Sequence, residues 1–195
     1  MSITLPPNAP KFGGPISRAF GRLMMRIVGM KLGGTIPDVP KVILIGAPHT
    51  SNWDLLLAMG MKYELGLNYS WMMKKEAFFF PFGSMFKAMG GIPIDRSSKS
   101  DLTTQMSDWF KNNENVWLGI TPEGTRSKVK RFKKGYIRIA KAADVPIFIV
   151  GIHGANKTII LDKIWDHKSD NIDLENNAIK QYFDDNFIGI NPKNG

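Results

Sequence analysis

Three short apolar runs, Lys41–Ala47 (KVILIGA), Val116–Ile120 (VWLGI) and 146–152 (PIFIVGI), constrain the fold more than any other feature of these 195 residues. Each is rich in β-branched residues, too short for a helix of its own and closed by turn residues, as buried strands are. Between them the spacing turns helical. Leu55, Leu56, Met59 and Tyr63 follow a Ser51 or Asn52 able to cap a helix, with Asp54 in its first turn. Leu102, Met106, Trp109 and Phe110 mark a helix over 101–112, and Ile137, Ile139 and Ala140 mark one over Gly135–Ala143. Further strands are expected at 68–73, 92–95 and 157–161 and a last helix at 175–183, while 78–86 reads as an aromatic stretch broken by Pro81 and Gly83. The alternation predicts an α/β fold, a single mostly parallel or mixed sheet flanked by helices.

Before the first run, Pro6, Pro7, Pro10, Gly13, Gly14 and Pro15 leave no room for a regular element, so residues 1–15 read as a flexible or wrapped leader with order beginning at Ile16. Ile16, Phe20, Leu23, Met24, Ile27 and Val28 then recur at helical spacing, with Arg18, Arg22 and Arg26 in a separate ladder. Such a helix either packs its apolar stripe on the core or lies in a membrane interface, with Arg at anionic headgroups. Gly33, Gly34 and Pro37 mark a break after it. The expected organisation is a leader and amphipathic helix over 1–34 and one further domain over 35–195.

Charge narrows the partners. The chain carries 26 basic and 17 acidic residues, and residues 1–161 hold 22 and 10 of them, so the body is strongly basic and only the last segment is acidic. A basic body implies an anionic partner. The aromatics sit in apolar runs, not interleaved with Lys and Arg as a base-stacking platform requires, which argues against nucleic acid. With no cysteine and three histidines, thiolate chemistry is excluded and a histidine-rich metal site is not expected. No stretch reaches the roughly 18 apolar residues of a membrane span, and no secretory signal pattern opens the chain. The expected location is cytoplasmic.

Three polar constellations follow expected strand ends, where open α/β sheets bind ligands. The first is Pro48, His49, Thr50, Ser51, Asn52, Trp53 and Asp54. A carboxylate five residues after a His, in the next helix's first turn, can fix the imidazole tautomer and make the other ring nitrogen a general base. Asp54 also suits a helix start for its dipole alone. The second runs from Gly90 to Asp95 and Arg96, a tight strand delivering a phosphate-competent guanidinium or one merely paired with Asp95. The third is Thr121, Pro122, Glu123, Gly124, Thr125, Arg126 and Ser127. Gly124 permits close backbone approach, the hydroxyls donate, and Arg126 offers a fork for phosphate. Seven basic residues between Arg126 and Arg138, with no acid among them, are either a solvated run or an anion attractor. His153, ending a strand, could line the site or be a satisfied structural histidine, and His167 reads as surface. No nucleophile elbow, Walker loop or dinucleotide fingerprint is present in the sequence.

In this order the blocks resemble the glycerolipid acyltransferase family typified by bacterial 1-acyl-glycerol-3-phosphate acyltransferase. They are His49 to Asp54 (H-x4-D), Gly90 to Arg96, Glu123 to Arg126 (E-G-T-R) and the apolar Val145 to Val150, with Lys74, Lys75 and Glu76 matching a K-K-E stretch. The resemblance covers residues 40–155. Pro48 and Thr121 stand where the family often has Asn and Phe, and Ile149 replaces a second Pro. The resemblance implies a glycerolphosphate acyltransferase-like fold and acyl transfer from an acyl-CoA or acyl carrier protein thioester to a hydroxyl of a lysophosphatidate-like acceptor, with no cofactor or metal. It implies His49 as base, Asp54 as its orienter, and Arg126 as the phosphate ligand with Arg96 and Lys74 helping. Glu123 would hold Arg126 or an acceptor hydroxyl within the loop that includes Gly124 and Thr125. It further implies peripheral attachment to an anionic surface, the inner face of the cell membrane. Another lyso-lipid acceptor and a non-catalytic lipid binder are the alternatives.

Overall fold

Seven strands form one sheet in the order β1-β7-β6-β2-β5-β3-β4. In this computed structural model residues 3–48, 54–95, 101–125, 129–166 and 169–190 are described, with the backbone alone for Asp54 and Leu55. The strands are β1 (Lys31–Gly34), β2 (Lys41–Ala47), β3 (Tyr69–Lys74), β4 (Gly91–Ile94), β5 (Val116–Ile120), β6 (Ile147–His153) and β7 (Thr158–Trp165). The helices are α1 (Pro15–Val28), α2 (Asp54–Leu65), α3 (Phe82–Met89), α4 (Leu102–Lys111), α5 (Gly135–Ala143) and α6 (Ile172–Asn186).

Alternation along the strands explains why the sheet is covered twice. In central β2, Ile43, Ile45 and Ala47 join a core with α4, α5 and α6, while Val42 and Leu44 join a second core with α1 and α2. Both sets are buried, so the run reads as continuous apolar sequence, as a strand covered on both faces must. β2 is parallel to both β5 and β6, and β3 is parallel to β5 and β4. β7 alone turns back antiparallel to β6, and β1 runs with it. The sheet is thus mixed and flanked by helices, with a helix N-terminal to it, as the sequence predicts.

Three local expectations change. The leader takes the wrapped of its two readings, and order begins before Ile16: Ala9 is buried, Phe12 donates its N–H to Gly66 O at 2.7 Å, and Pro10 O accepts from Asn68 N at 2.8 Å. Gly33 and Gly34 are not a break but part of β1, because pairing with β7 uses backbone groups and needs no side-chain pattern. The aromatic stretch contains a helix, α3, which starts after Pro81 and ends at Gly90 in the left-handed region.

The packing of α1 separates the two sides of its apolar stripe. α1 meets α2 through Gly21 and Met25, both buried, with Met24 near Gly60 and Phe20 edge-on to Tyr63 at 5.7 Å. A Cβ at Gly21 would collide with the backbone of Tyr63 and Glu64, so the two helices cross at backbone distance. Met24 and Val28 of the apolar stripe are half-buried, while its outer part faces away, leaving Ile16 88% and Ile27 75% exposed with Leu23 and much of Phe20 beside them. Arg22 and Arg26 lie near Glu64 of α2, whose carboxyl burial nevertheless holds above its ordinary pKa. Among the described residues no helix is long and apolar enough to cross a membrane.

Candidate active site

β2, β5, β3 and β4 are mutually parallel, so the chain leaves all four at one end of the sheet. Here a cavity of about 870 Å³ opens, inside the range of small-molecule sites. Residues at or next to each motif block contribute to its wall among the described residues. Pro48 comes from the end of β2, Ile94 and Asp95 from β4, Thr121, Pro122 and Gly124 from the loop after β5, and Val150 from β6. Sequence segments roughly 100 residues apart meet because their strands are neighbours, not because their motifs touch in sequence. Deeper in, the lining is apolar, with Leu44, Leu57, Met61, Trp71 and Ile159.

The loop after β5 is the best defined part of the rim. Gly124 sits at φ 64°, left-handed backbone that a side chain resists. The Lys133 stem lies across it, so that a Cβ at Gly124 would fall 2.6 Å from Lys133 Nζ. Lys133 N donates to Pro122 O at 2.8 Å and closes the turn. Glu123 is buried within it, whereas Thr125 is exposed. Opposite, Lys75 pairs with Asp95 at 3.2 Å, and Gln105 Nε2 donates to the Asp95 backbone carbonyl at 3.2 Å. Asp101 caps α4 by accepting from Thr104 N at 2.8 Å, a bond that holds its carboxyl below the usual range.

Of the residues singled out by sequence, Gly124 lines the cavity and Glu123 and Thr125 flank it. Asp54 opens α2 at this end of the sheet. Lys74, the last residue of β3, is exposed and is not among the lining residues, which that strand supplies as Trp71, Met72 and Met73. His49, Arg96, Arg126 and His167 lie outside the described residues. His153 ends β6 with its Nδ1 buried and without a hydrogen-bond partner among the described residues, and it is not among the residues lining the cavity.

Two lysines escape the motif reading. Lys133 contacts the E-G-T-R loop, and its only sequence signal is membership of the basic run. Lys62 is 2% exposed on α2 and donates to Tyr69 O at 2.8 Å and Met89 O at 2.7 Å, under the rings of Phe12, Tyr69 and Trp71. Burial pulls its pKa down to about 8. It ties α2 to the start of β3 and to the end of α3, and so fixes the strand pair that carries the second block. The signal was available, since Lys62 falls four residues after Ala58 and three before Leu65, on the inward side of α2.

The chain matches the family described as Acyltransferase over residues 31–153. It is similar in fold to the crystal structure of the 1-acyl-sn-glycerophosphate (LPA) acyltransferase, PlsC, from Thermotoga maritima. The TM-score is 0.64 at 19% identity, over 87% of this chain and 76% of that one. No curated protein sequence matches significantly.

Proposed function

The chain belongs to the acyltransferase family, and from that premise we propose that it moves a fatty acyl group from an acyl-CoA or acyl carrier protein thioester to a hydroxyl of a lysophosphatidate-type acceptor at a membrane surface, in phospholipid synthesis. The observation that carries this reading is one largely apolar cavity at the strand ends, lined by Pro48 just before the first block, Ile94 of the second, Gly124 of the third and Val150 of the fourth. An apolar wall suits an acyl chain, and a rim holding the E-G-T-R loop suits a phosphate.

In the proposed reaction His49 takes the proton from the acceptor hydroxyl, and the oxygen attacks the thioester carbonyl carbon. The tetrahedral oxyanion collapses by breaking the C–S bond, and the thiolate leaves with the proton that His49 held. The products are the ester and the free thiol, with no oxidant and no covalent acyl-enzyme required. Asp54, at the start of α2, orients the imidazole. Arg126 receives the acceptor phosphate, assisted by Arg96 and, from the exposed end of β3, Lys74. Glu123 steadies the loop.

The outward stripe of α1 supports attachment without a span. A helix that turns Ile16, Phe20, Leu23 and Ile27 to water and keeps arginines on its flank has the form of an interfacial helix. The proposed site of action is the inner face of the cell membrane. Arg126→Ala tests the acceptor assignment. The expected result is a KM for lysophosphatidate raised tenfold or more while the KM for uncharged monoacylglycerol is unmoved. Equal changes for both acceptors contradict the phosphate role.

A further inference from the structure

Strand directions show which apolar surface surrounds the cavity mouth. β2, β3 and β5 end there, and β1, running opposite to β2 through β7 and β6, begins there. The C-terminal end of α1, which leads into β1, therefore lies at the mouth with exposed Leu23 and Ile27, and the first turn of α2 adds exposed Leu56. β3 delivers Lys74 to the same end. A few residues later come Phe79, Phe80 and Phe82, of which Phe80 is 95% exposed. The connections β2-α2-β3 and β3-α3-β4 advance in one direction along the sheet, and right-handed crossovers put both helices on one face. The bond from Lys62 on α2 to the last carbonyl of α3 agrees with that.

The aromatic segment is built to hold this pose. Phe78 and Phe86 are half-buried and meet edge-on at 6.1 Å, while Phe79 and Phe82 meet edge-on at 5.5 Å on the outside. Exposed Lys74 and Lys75 precede the rings, beside exposed Glu76 and with Lys75 paired to Asp95, and Lys87 follows them, while residues 77–94 contain no acidic side chain. Clustered exposed rings are costly in water unless something covers them. Rings flanked by lysine stems that reach outward match the depth and charge of an anionic bilayer interface.

We propose that Phe79, Phe80 and Phe82 form a second insertion point, separate from α1, that seats the lip of the cavity in an anionic bilayer so that a lipid acceptor passes sideways from membrane to site. The seat rests on the surface geometry, and the passage of acceptor rests on the acyltransferase reading above. The test uses the full chain as wild type, as Phe79→Ser/Phe80→Ser/Phe82→Ser, and as the single Phe80→Ser, whose near-complete exposure keeps the fold out of the result. Each is sedimented with vesicles of phosphatidylglycerol and phosphatidylcholine. The triple variant is expected to lose tenfold or more of its partition and Phe80→Ser a few-fold. Turnover of bilayer-embedded lysophosphatidate should fall in parallel, and turnover of a short-chain lysophosphatidate dissolved as monomer should match wild type. Wild-type partition by the triple variant overturns the seat. So does a wild-type dimer in solution that the triple variant converts to monomer, which would make a second copy the occupant. A wild type that turns over no acceptor yet needs the rings to bind vesicles overturns the reaction and leaves the seat standing.

Discussion

Single residues carry the account where their backbone or burial leaves no alternative. At Gly124 any side chain meets left-handed backbone, which costs an L-residue about 1–2 kcal/mol, and the Lys133 stem. Gly124→Ala is expected to lose about that much stability in urea unfolding, together with acyl transfer, whereas a change under a few tenths of a kcal/mol contradicts the geometry. Lys62 makes a prediction about pH. Its folded pKa of about 8 lies below the ordinary 10.5, so between those values the unfolded chain holds the proton more tightly. The burial cost of the charge is fully present below pH 8, and stability is gained as pH rises from about 8 toward 10.5. The Tm of wild type should therefore climb relative to Lys62→Met across that window, and parallel curves would show that the ammonium is not desolvated. Lys62 was legible only as a lysine on an apolar helix face. The contact between Lys133 and Gly124 was not, because nothing in a basic run says which lysine folds back.

Elements were legible in proportion to how much their side chains, and not their backbones, decide them. β2, β5 and β6 are written in β-branched residues that must be buried on both faces, so sequence and structure agree closely. β1 is Lys-Leu-Gly-Gly and exists because β7 offers it hydrogen bonds, information that resides 127 residues further along the chain. For α1 the periodicity was legible and the orientation was not. A moment says that one face is apolar, and only the tight Gly21 and Met25 crossing with α2 shows that Ile16, Leu23 and Ile27 are turned outward while Met24 and Val28 are half-buried. That crossing is testable by Gly21→Ala, whose Cβ must displace α1 from the α2 backbone. The expected loss is about 1–3 kcal/mol, as for overpacking, with faster proteolysis of the wrapped leader. Unchanged unfolding would mean that the helices do not touch there. Ile16→Ser/Ile27→Ser should instead leave stability within about 0.5 kcal/mol, as surface changes do, while weakening vesicle binding. A large stability loss would mean that the stripe is packed.

At the scale of the whole molecule, strand order makes the chemistry possible. The first, third and fourth blocks converge because β5 and β6 are inserted on either side of β2 late in the chain, and the second joins them through β3 and β4. The sequence predicted that its motifs follow strand ends, but only the topology brings those ends to one 870 Å³ cavity. The basic body and the outward stripe then give association a salt dependence. Partition onto anionic vesicles should fall by tenfold or more between 50 mM and 500 mM salt while binding to a neutral bilayer barely moves, because screening weakens attraction between exposed charges and leaves apolar insertion alone. Insensitivity to salt would contradict an electrostatic share.

The central claim is acyl transfer with His49 as base, and thiol release from palmitoyl-CoA tests it most directly. The chain has no cysteine, so a thiol-reactive dye reports only freed CoA. The account predicts release that depends on added lysophosphatidate and falls by 10²–10⁴ in His49→Ala, the span expected when a general base is removed. Acceptor-dependent release at the wild-type rate in His49→Ala would contradict it.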